Sequence, residues 1–396
     1  MSTALPLLFV FALLITGCVG AERTLDEARV LVERVRPDVS LEDVRVDVWR
    51  SHSTVERWHR ESHETLSFPS VERILKANRA HFARFHMEAA LDVLIAQRLS
   101  ADAPQLPAFV VPGNPSTVVA RPRAAQSLHT MTHELGHIAS WKMGYWQKPT
   151  PYLWLNEDEI GNPKWLDLDA FIAGWAVEEG TAELTAMAAM QLDRPELERR
   201  DPFEGARLAG GNALNPSILA PLVIRTQQFA YGNGLRYVAM RAGSSDQSFE
   251  EMLGTAWSSF RGTSREILFP QESSAPSRLA TALKRDLATL SPKPTAATRW
   301  GAFLTFEVLS EQRGYEVREF LPLVTAFRDD LLLTFEGDRA LWITEWADRM
   351  SAAEFAEKIG AQISEAAVET TGLRVTISWD APAIAKTWWR VAPPLR

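Results

Sequence analysis

Residues 124–143 read Ala-Ala-Gln-Ser-Leu-His-Thr-Met-Thr-His-Glu-Leu-Gly-His-Ile-Ala-Ser-Trp-Lys-Met, and at their centre stands His133-Glu134-Leu135-Gly136-His137. The stretch predicts a helix. On a helix, positions i and i+4 lie on one face, so the imidazoles of His133 and His137 can point at a single metal ion. Glu134 follows His133 and projects to the side of that face, within reach of a water held there but without being a ligand itself. This is the logic of two zinc ligands and a general base in the H-E-x-x-H pattern.

Working outward, the segment before this helix predicts a small sheet. Ala108-Phe109-Val110-Val111 reads as a strand, Pro112-Gly113-Asn114-Pro115 as a turn, and Thr117-Val118-Val119-Ala120 as a second strand. A further helix is expected over residues 71–98, where Ile74, Leu75, Phe82, Phe85, Ala89 and Leu94 recur near helical spacing. Another is expected over 168–190, after a loop carrying Trp146, Trp154 and Trp165, which either line a cleft or, as the favoured role, pack in the core or a lid. The remainder reads as mostly helical apart from a strand at 373–379. The class expected is α+β and predominantly helical. Proline-containing stretches near 269–276 and 291–295 are the expected domain boundary, giving a core unit over 71–290 and an accessory C-terminal unit over 296–396.

A zinc site needs a third protein ligand, and the histidines limit the choice. The eight are His52, His59, His63, His81, His86, His129, His133 and His137, so none lies downstream of the motif. The extended metzincin pattern would place Gly at 140 and His at 143, where this chain has Ser140 and Met143, and that class is excluded. His129, one turn before His133, reads as a neighbour, because a catalytic zinc keeps one position open. A downstream carboxylate is left as the third ligand.

Val177-Glu178-Glu179-Gly180-Thr181-Ala182-Glu183 supplies candidates on the second helix. With the His-Glu-x-x-His motif, this segment resembles the gluzincins, the superfamily of thermolysin-like enzymes and zinc aminopeptidases. In these a downstream helix provides a Glu, often within Glu-Gly-x-Ala. The resemblance covers roughly residues 108–245 and assigns the ligand to Glu179, with Glu178 as its rival. Glu183, one turn later on the same face, is either a hydrogen-bond partner of a ligating imidazole or a solvated charge. Tyr231-Gly232-Asn233-Gly234 resembles the Tyr-x-x-Gly segment that opens a helix in zinc aminopeptidases. There the tyrosine hydroxyl stabilises the oxyanion, so Tyr231 is either that group or a packed helix-start residue.

The resemblance implies a zincin-like domain: a small sheet on the active-site helix, a helical lower part, and one Zn²⁺ held between them by His133, His137 and Glu179. It implies hydrolysis of a peptide or protein substrate, with Glu134 as general base. The Gly-x-Met-Glu-Asn segment by which zinc aminopeptidases hold a free amine is absent from the sequence, which favours an endopeptidase. Two other readings stay open, a zinc hydrolase of non-peptide substrates and a catalytically silent scaffold. Gly337-Asp338-Arg339 with Trp342 and Trp346 resembles C-terminal regions of bacterial zincin-like proteins, without chemistry to assign.

The first residues differ from the rest. Leu5 to Ile15 is almost uninterruptedly apolar, too short to span a bilayer comfortably, and ends in Ile15-Thr16-Gly17-Cys18. This ending resembles the lipobox of bacterial lipoproteins. It implies a signal peptide over 1–17, a lipid on Cys18 and attachment to a membrane of the bacterial cell envelope. Cys18 is the only cysteine, so no internal disulfide can form. Residues 18–70 are expected to form a stalk or loosely packed helical region, with Leu25, Ala28, Leu31 and Val32 at helical spacing. The formal net charge of −8, without a long Lys/Arg cluster, argues against a nucleic-acid partner.

Overall fold

The computed structural model describes residues 4–49, 79–80, 82–85, 108–111, 116–145, 167–193, 222–242, 247–272, 277–286, 291–311, 317–337, 339–363, 365–381 and 384, with most side chains from Gly20 onward. The class is mixed, with helix predominating over two small sheets. Most of the helix expected over 71–98, the turn over 112–115, Trp146, Trp154, Trp165 and Asp338 lie outside the described residues.

The first sheet contains β1 (Arg45–Val48), β2 (Ala108–Val111) and β3 (Thr117–Ala120) in the order β1-β3-β2. β3 pairs parallel to β1 and antiparallel to β2, and all four of its residues are buried. Helix α1 (Ala4–Val35) and helix α2 (Leu128–Lys142) complete a core with this sheet. Leu25, Ala28, Leu31 and Val32 of α1 meet Val118 and Ala120 of β3 and Met131, Leu135 and Ile138 of α2. α2 begins at Ser127, whose hydroxyl accepts from the Thr130 N–H at 3.2 Å.

This packing corrects the stalk reading for residues 21–48. The helical spacing noted there marks a face that is buried against the metal-motif helix. Arg36, just past the end of α1, donates to both oxygens of Glu250 at 2.7 and 2.8 Å and is fully buried.

Helix α3 (Leu168–Asp193) runs through the middle of the molecule and is buried on nearly every side. One side packs on α2; the other packs on a π-helical turn (Gln228–Asn233) and α5 (Gly234–Arg241), which continue the short helix α4 (Leu222–Gln227). Glycines set both distances. A Cβ on Gly136 would lie 3.0 Å from the Ala182 Cα, and one on Gly180 would lie 2.2 Å from the Gly234 carbonyl carbon.

Helices α6 (Phe249–Ser259), α7 (Ser264–Leu268) and α8 (Arg278–Asp286) lead to the second sheet. Its strands are β4 (Ala296–Thr298), β5 (Phe327–Thr334), β6 (Ala340–Trp346), β7 (Ala367–Thr371) and β8 (Arg374–Trp379), in the antiparallel order β4-β5-β6-β8-β7. Helices α9 (Gly301–Glu311), α10 (Val317–Ala326) and α11 (Arg349–Gly360) accompany it. Only β8 matches a predicted strand. β5 and β6 are buried on both faces, so their sequences lack the polar alternation that marks a half-exposed strand. Leu332 and Trp342 face the α3 side of the sheet; Leu331, Leu333, Leu341 and Ile343 face α8.

The packing also runs across the expected boundary at 290–296. One core joins Phe171 and Ile172 of α3 to Trp300, Phe303, Trp342 and Ile377, with Phe82 and Phe85 against the Trp300 ring. Buried polar contacts follow the same path. Asp167 accepts from Arg299, Asp169 accepts from the Ser264 N–H at 2.9 Å, and the Asp169 N–H donates to the Arg299 carbonyl at 3.0 Å.

Candidate metal centre

Three ligand atoms converge where α2 crosses α3. The Nε2 atoms of His133 and His137 are 3.1 Å apart, and Glu179 Oε2 lies 3.2 Å from the first and 3.3 Å from the second. All three residues are buried, and among the described residues they are the one group of His, Cys, Asp and Glu that can hold a metal ion. Tetrahedral coordination with bonds of about 2.0–2.1 Å places neighbouring ligand atoms roughly 3.3 Å apart, so this triangle fits one face of such a site.

The local sequence explains the convergence. His133 and His137 share a face of α2 through i,i+4 spacing, and Gly136 between them lets α3 come close enough for Glu179 to reach both rings. Glu178, the residue before Glu179 on α3, is outside the converging group. Arg36 steadies α2 from behind, donating to the Gly136 carbonyl at 3.3 Å and the Ser140 hydroxyl at 3.0 Å. Tyr145 OH donates to Glu250 Oε1 at 2.7 Å and closes that buried network.

Glu183 lies one turn beyond Glu179, and its Oε2 accepts from His133 Nδ1–H at 3.1 Å. That bond orients the ring: Nε2 faces the Glu179 carboxylate, as a donor when the ring is protonated and as a lone pair for a cation when Nε2 has lost its proton. His129 places Nε2 3.4 Å from Glu183 Oε1 with half of its side chain exposed, so it is a neighbour of the group and not a member.

The electrostatics favour positive charge at this point. Burial pulls the His133 pKa down, but hydrogen bonds to Glu179 and Glu183 outweigh it and lift the value to about 10. Burial pushes Glu179 up, but His137 and His133 hold it well below the ordinary carboxylate range. Burial likewise opposes Glu183, which its contacts with His129 and His133 bring down to about 2. Glu134 behaves differently. Its buried carboxyl is raised by desolvation, only partly offset by the two imidazoles.

Tyr231 is in the neighbourhood, with its ring centroid 5.7 Å from that of His133, nearly parallel, and 38% of its surface exposed. It does not open a helix, as the Tyr-x-x-Gly likeness led one to expect. It sits in the π-helical turn between α4 and α5, where the close crossing at Gly180 and Gly234 carries the helical run past α3. Cys18 lies on α1 with its side chain outside the described residues, and no helix among the described residues is long and apolar enough to cross a membrane.

Two contributors escaped the sequence reading. Trp175 Nε1–H donates to Glu179 Oε1 at 2.7 Å, one helical turn before the ligand; a tryptophan four residues ahead of a candidate glutamate is a signal that could have been read. Arg36 and Glu250 stand 214 positions apart, and nothing local links them.

Comparisons of the chain with models of protein families, with curated proteins and with solved structures found no match.

Proposed function

We propose that this chain is a zinc-dependent peptidase, with a zincin-like arrangement about the α2–α3 crossing, acting on peptides or proteins of the bacterial cell envelope. The observation that carries the reading is the triangle of His133, His137 and Glu179, with the buried carboxyl of Glu134 one residue from the first ligand. A zinc ion there supplies the Lewis acidity that polarises a carbonyl and lowers the pKa of water to about 7.

The protein's own residues supply the rest. Glu134 takes a proton from the attacking water, holds it in its desolvated carboxyl, and gives it to the amine that leaves. The raised pKa suits a group that must accept a proton and then release it. Glu183 keeps the His133 ring in one tautomer and one orientation. Tyr231, partly exposed beside His133, can offer its hydroxyl to the negative charge developing on the substrate carbonyl oxygen. In this reading the chain is an endopeptidase, and a lipid on Cys18 holds it at the membrane.

Metal analysis of a soluble form starting just after Cys18 is the test. About one zinc per chain is expected, lost in His137→Ala. Glu134→Gln should keep the zinc and lose at least a hundredfold in peptide cleavage, in line with the ~10²–10⁴-fold effect of general acid–base groups. Protein that takes up no zinc, or a Glu134→Gln variant of full activity, would overturn the assignment. Stoichiometric zinc without cleavage across a broad peptide panel would favour a non-peptide substrate.

A further inference from the structure

Glu179 has two carboxylate oxygens, and the structure separates their tasks. Oε2 is the atom 3.2 and 3.3 Å from the histidine nitrogens, while Oε1 accepts the Trp175 indole N–H at 2.7 Å. Trp175 and Glu179 are one turn apart on the same face of α3, and both are 8% exposed. An indole N–H donates and cannot accept, so this nitrogen cannot ligate a cation, and its hydrogen bond goes to the carboxylate. The bond is short, as hydrogen bonds to ionised acceptors are.

We propose that Trp175 is a positioning residue that holds Glu179 as a one-oxygen ligand and so keeps the bound ion four-coordinate, with one position open. The terminal torsion of a glutamate is soft and roughly two-fold. Without a partner on Oε1, the carboxylate is free to turn and offer both oxygens to one ion. That would raise the coordination number by one and occupy space beside the open position. Two-oxygen binding also suits larger, oxygen-preferring ions such as Ca²⁺, whereas the one-oxygen mode suits tetrahedral zinc. The indole therefore acts on both geometry and metal preference, through a group that never touches the ion.

The inference rests on the metal-site reading above, and its test separates the two. Co²⁺ replaces zinc in metal-free protein, and the visible spectrum reports coordination, because four-coordinate Co²⁺ absorbs several-fold more strongly than five-coordinate. Wild type should give the intense spectrum. Trp175→Phe, which keeps an aromatic ring and removes the N–H, should give bands several-fold weaker and zinc affinity reduced by about 10–100-fold, the usual effect of losing a partner of a metal ligand. A second variant carries the tryptophan analogue with sulfur in place of the indole N–H, which preserves shape and packing; it should reproduce the Trp175→Phe spectrum. Intense, wild-type-like spectra and unchanged zinc affinity in both variants would overturn the role of Trp175 while leaving the metal site standing. Failure of wild type to bind either ion would overturn the site and this inference together.

Discussion

At the scale of single residues, the proposed metal site sets a proton and a metal ion in competition for one nitrogen. Metal-free His133, held near a pKa of about 10 by its two carboxylate partners, is protonated at neutral pH, so metal uptake must expel that proton. Apparent zinc affinity should therefore rise from pH 6 to pH 8, by about tenfold per unit for each proton displaced. Competition titrations with a chelator would measure it. In Glu183→Ala the affinity at pH 8 should fall by about 10–100-fold, because the His133 ring loses the acceptor on Nδ1 that orients it. An unchanged affinity would reduce Glu183 to a surface charge. These residues were legible in the sequence to unequal degrees. The histidine pair is written in a spacing of four; Glu179 took a likeness to other proteins to select it over Glu178. Trp175 stood four residues before Glu179, a spacing that places it on the same face, and it went unread because no role had been asked of the second carboxylate oxygen.

At the scale of elements, the site depends on two helix crossings set by glycine. The approach of α3 to the π-helical turn and α5 is closer than any side chain permits, since a Cβ on Gly180 would lie 2.2 Å from Gly234 backbone. Gly180→Ala should force the helices apart. We expect a loss of about 1–3 kcal/mol, the usual cost of overpacking, with weaker zinc retention because Glu179 is adjacent. Urea unfolding and metal content would check both, and an unchanged unfolding midpoint would contradict the crossing. Such crossings are poorly legible beforehand, because a glycine in a helix announces a close approach without naming the partner. The strands of the second sheet were hidden for another reason: with β5 and β6 buried on nearly every residue, polar and apolar alike, neither shows the alternation that marks a half-exposed strand.

At the scale of the whole molecule, distant segments hold the metal helix in place. Arg36, expected to belong to a loose stalk, forms a fully buried pair with Glu250 and reaches the carbonyl of Gly136 between the two histidines. Arg36→Met leaves the Glu250 carboxylate buried without its cation, so a loss of about 3–5 kcal/mol is expected, larger than for the double variant with Glu250→Gln. Thermal or denaturant unfolding of the two variants would measure it; equal stabilities would show the pair to be dispensable. The periodicity of α1 was legible, but its partners were not, because they are supplied by strands and a helix far along the chain, at residues 108–142. The other fixed point is the start of α3, where Asp167 and Asp169 are tied to Arg299 and Ser264. From Asp169 to Glu179 the helix acts as a ruler about 15 Å long. One residue inserted between Asp169 and Trp175 would slip Glu178 into the ligand's place, so a carboxylate would still meet the histidines. The same slip would put Gly174 where the indole belongs and drive the Glu179 side chain into the crossing at Gly234, where no Cβ fits. The paired glutamates thus make the ligand itself tolerant of a counting error, while the tryptophan before them and the glycine after them make the helix intolerant of it.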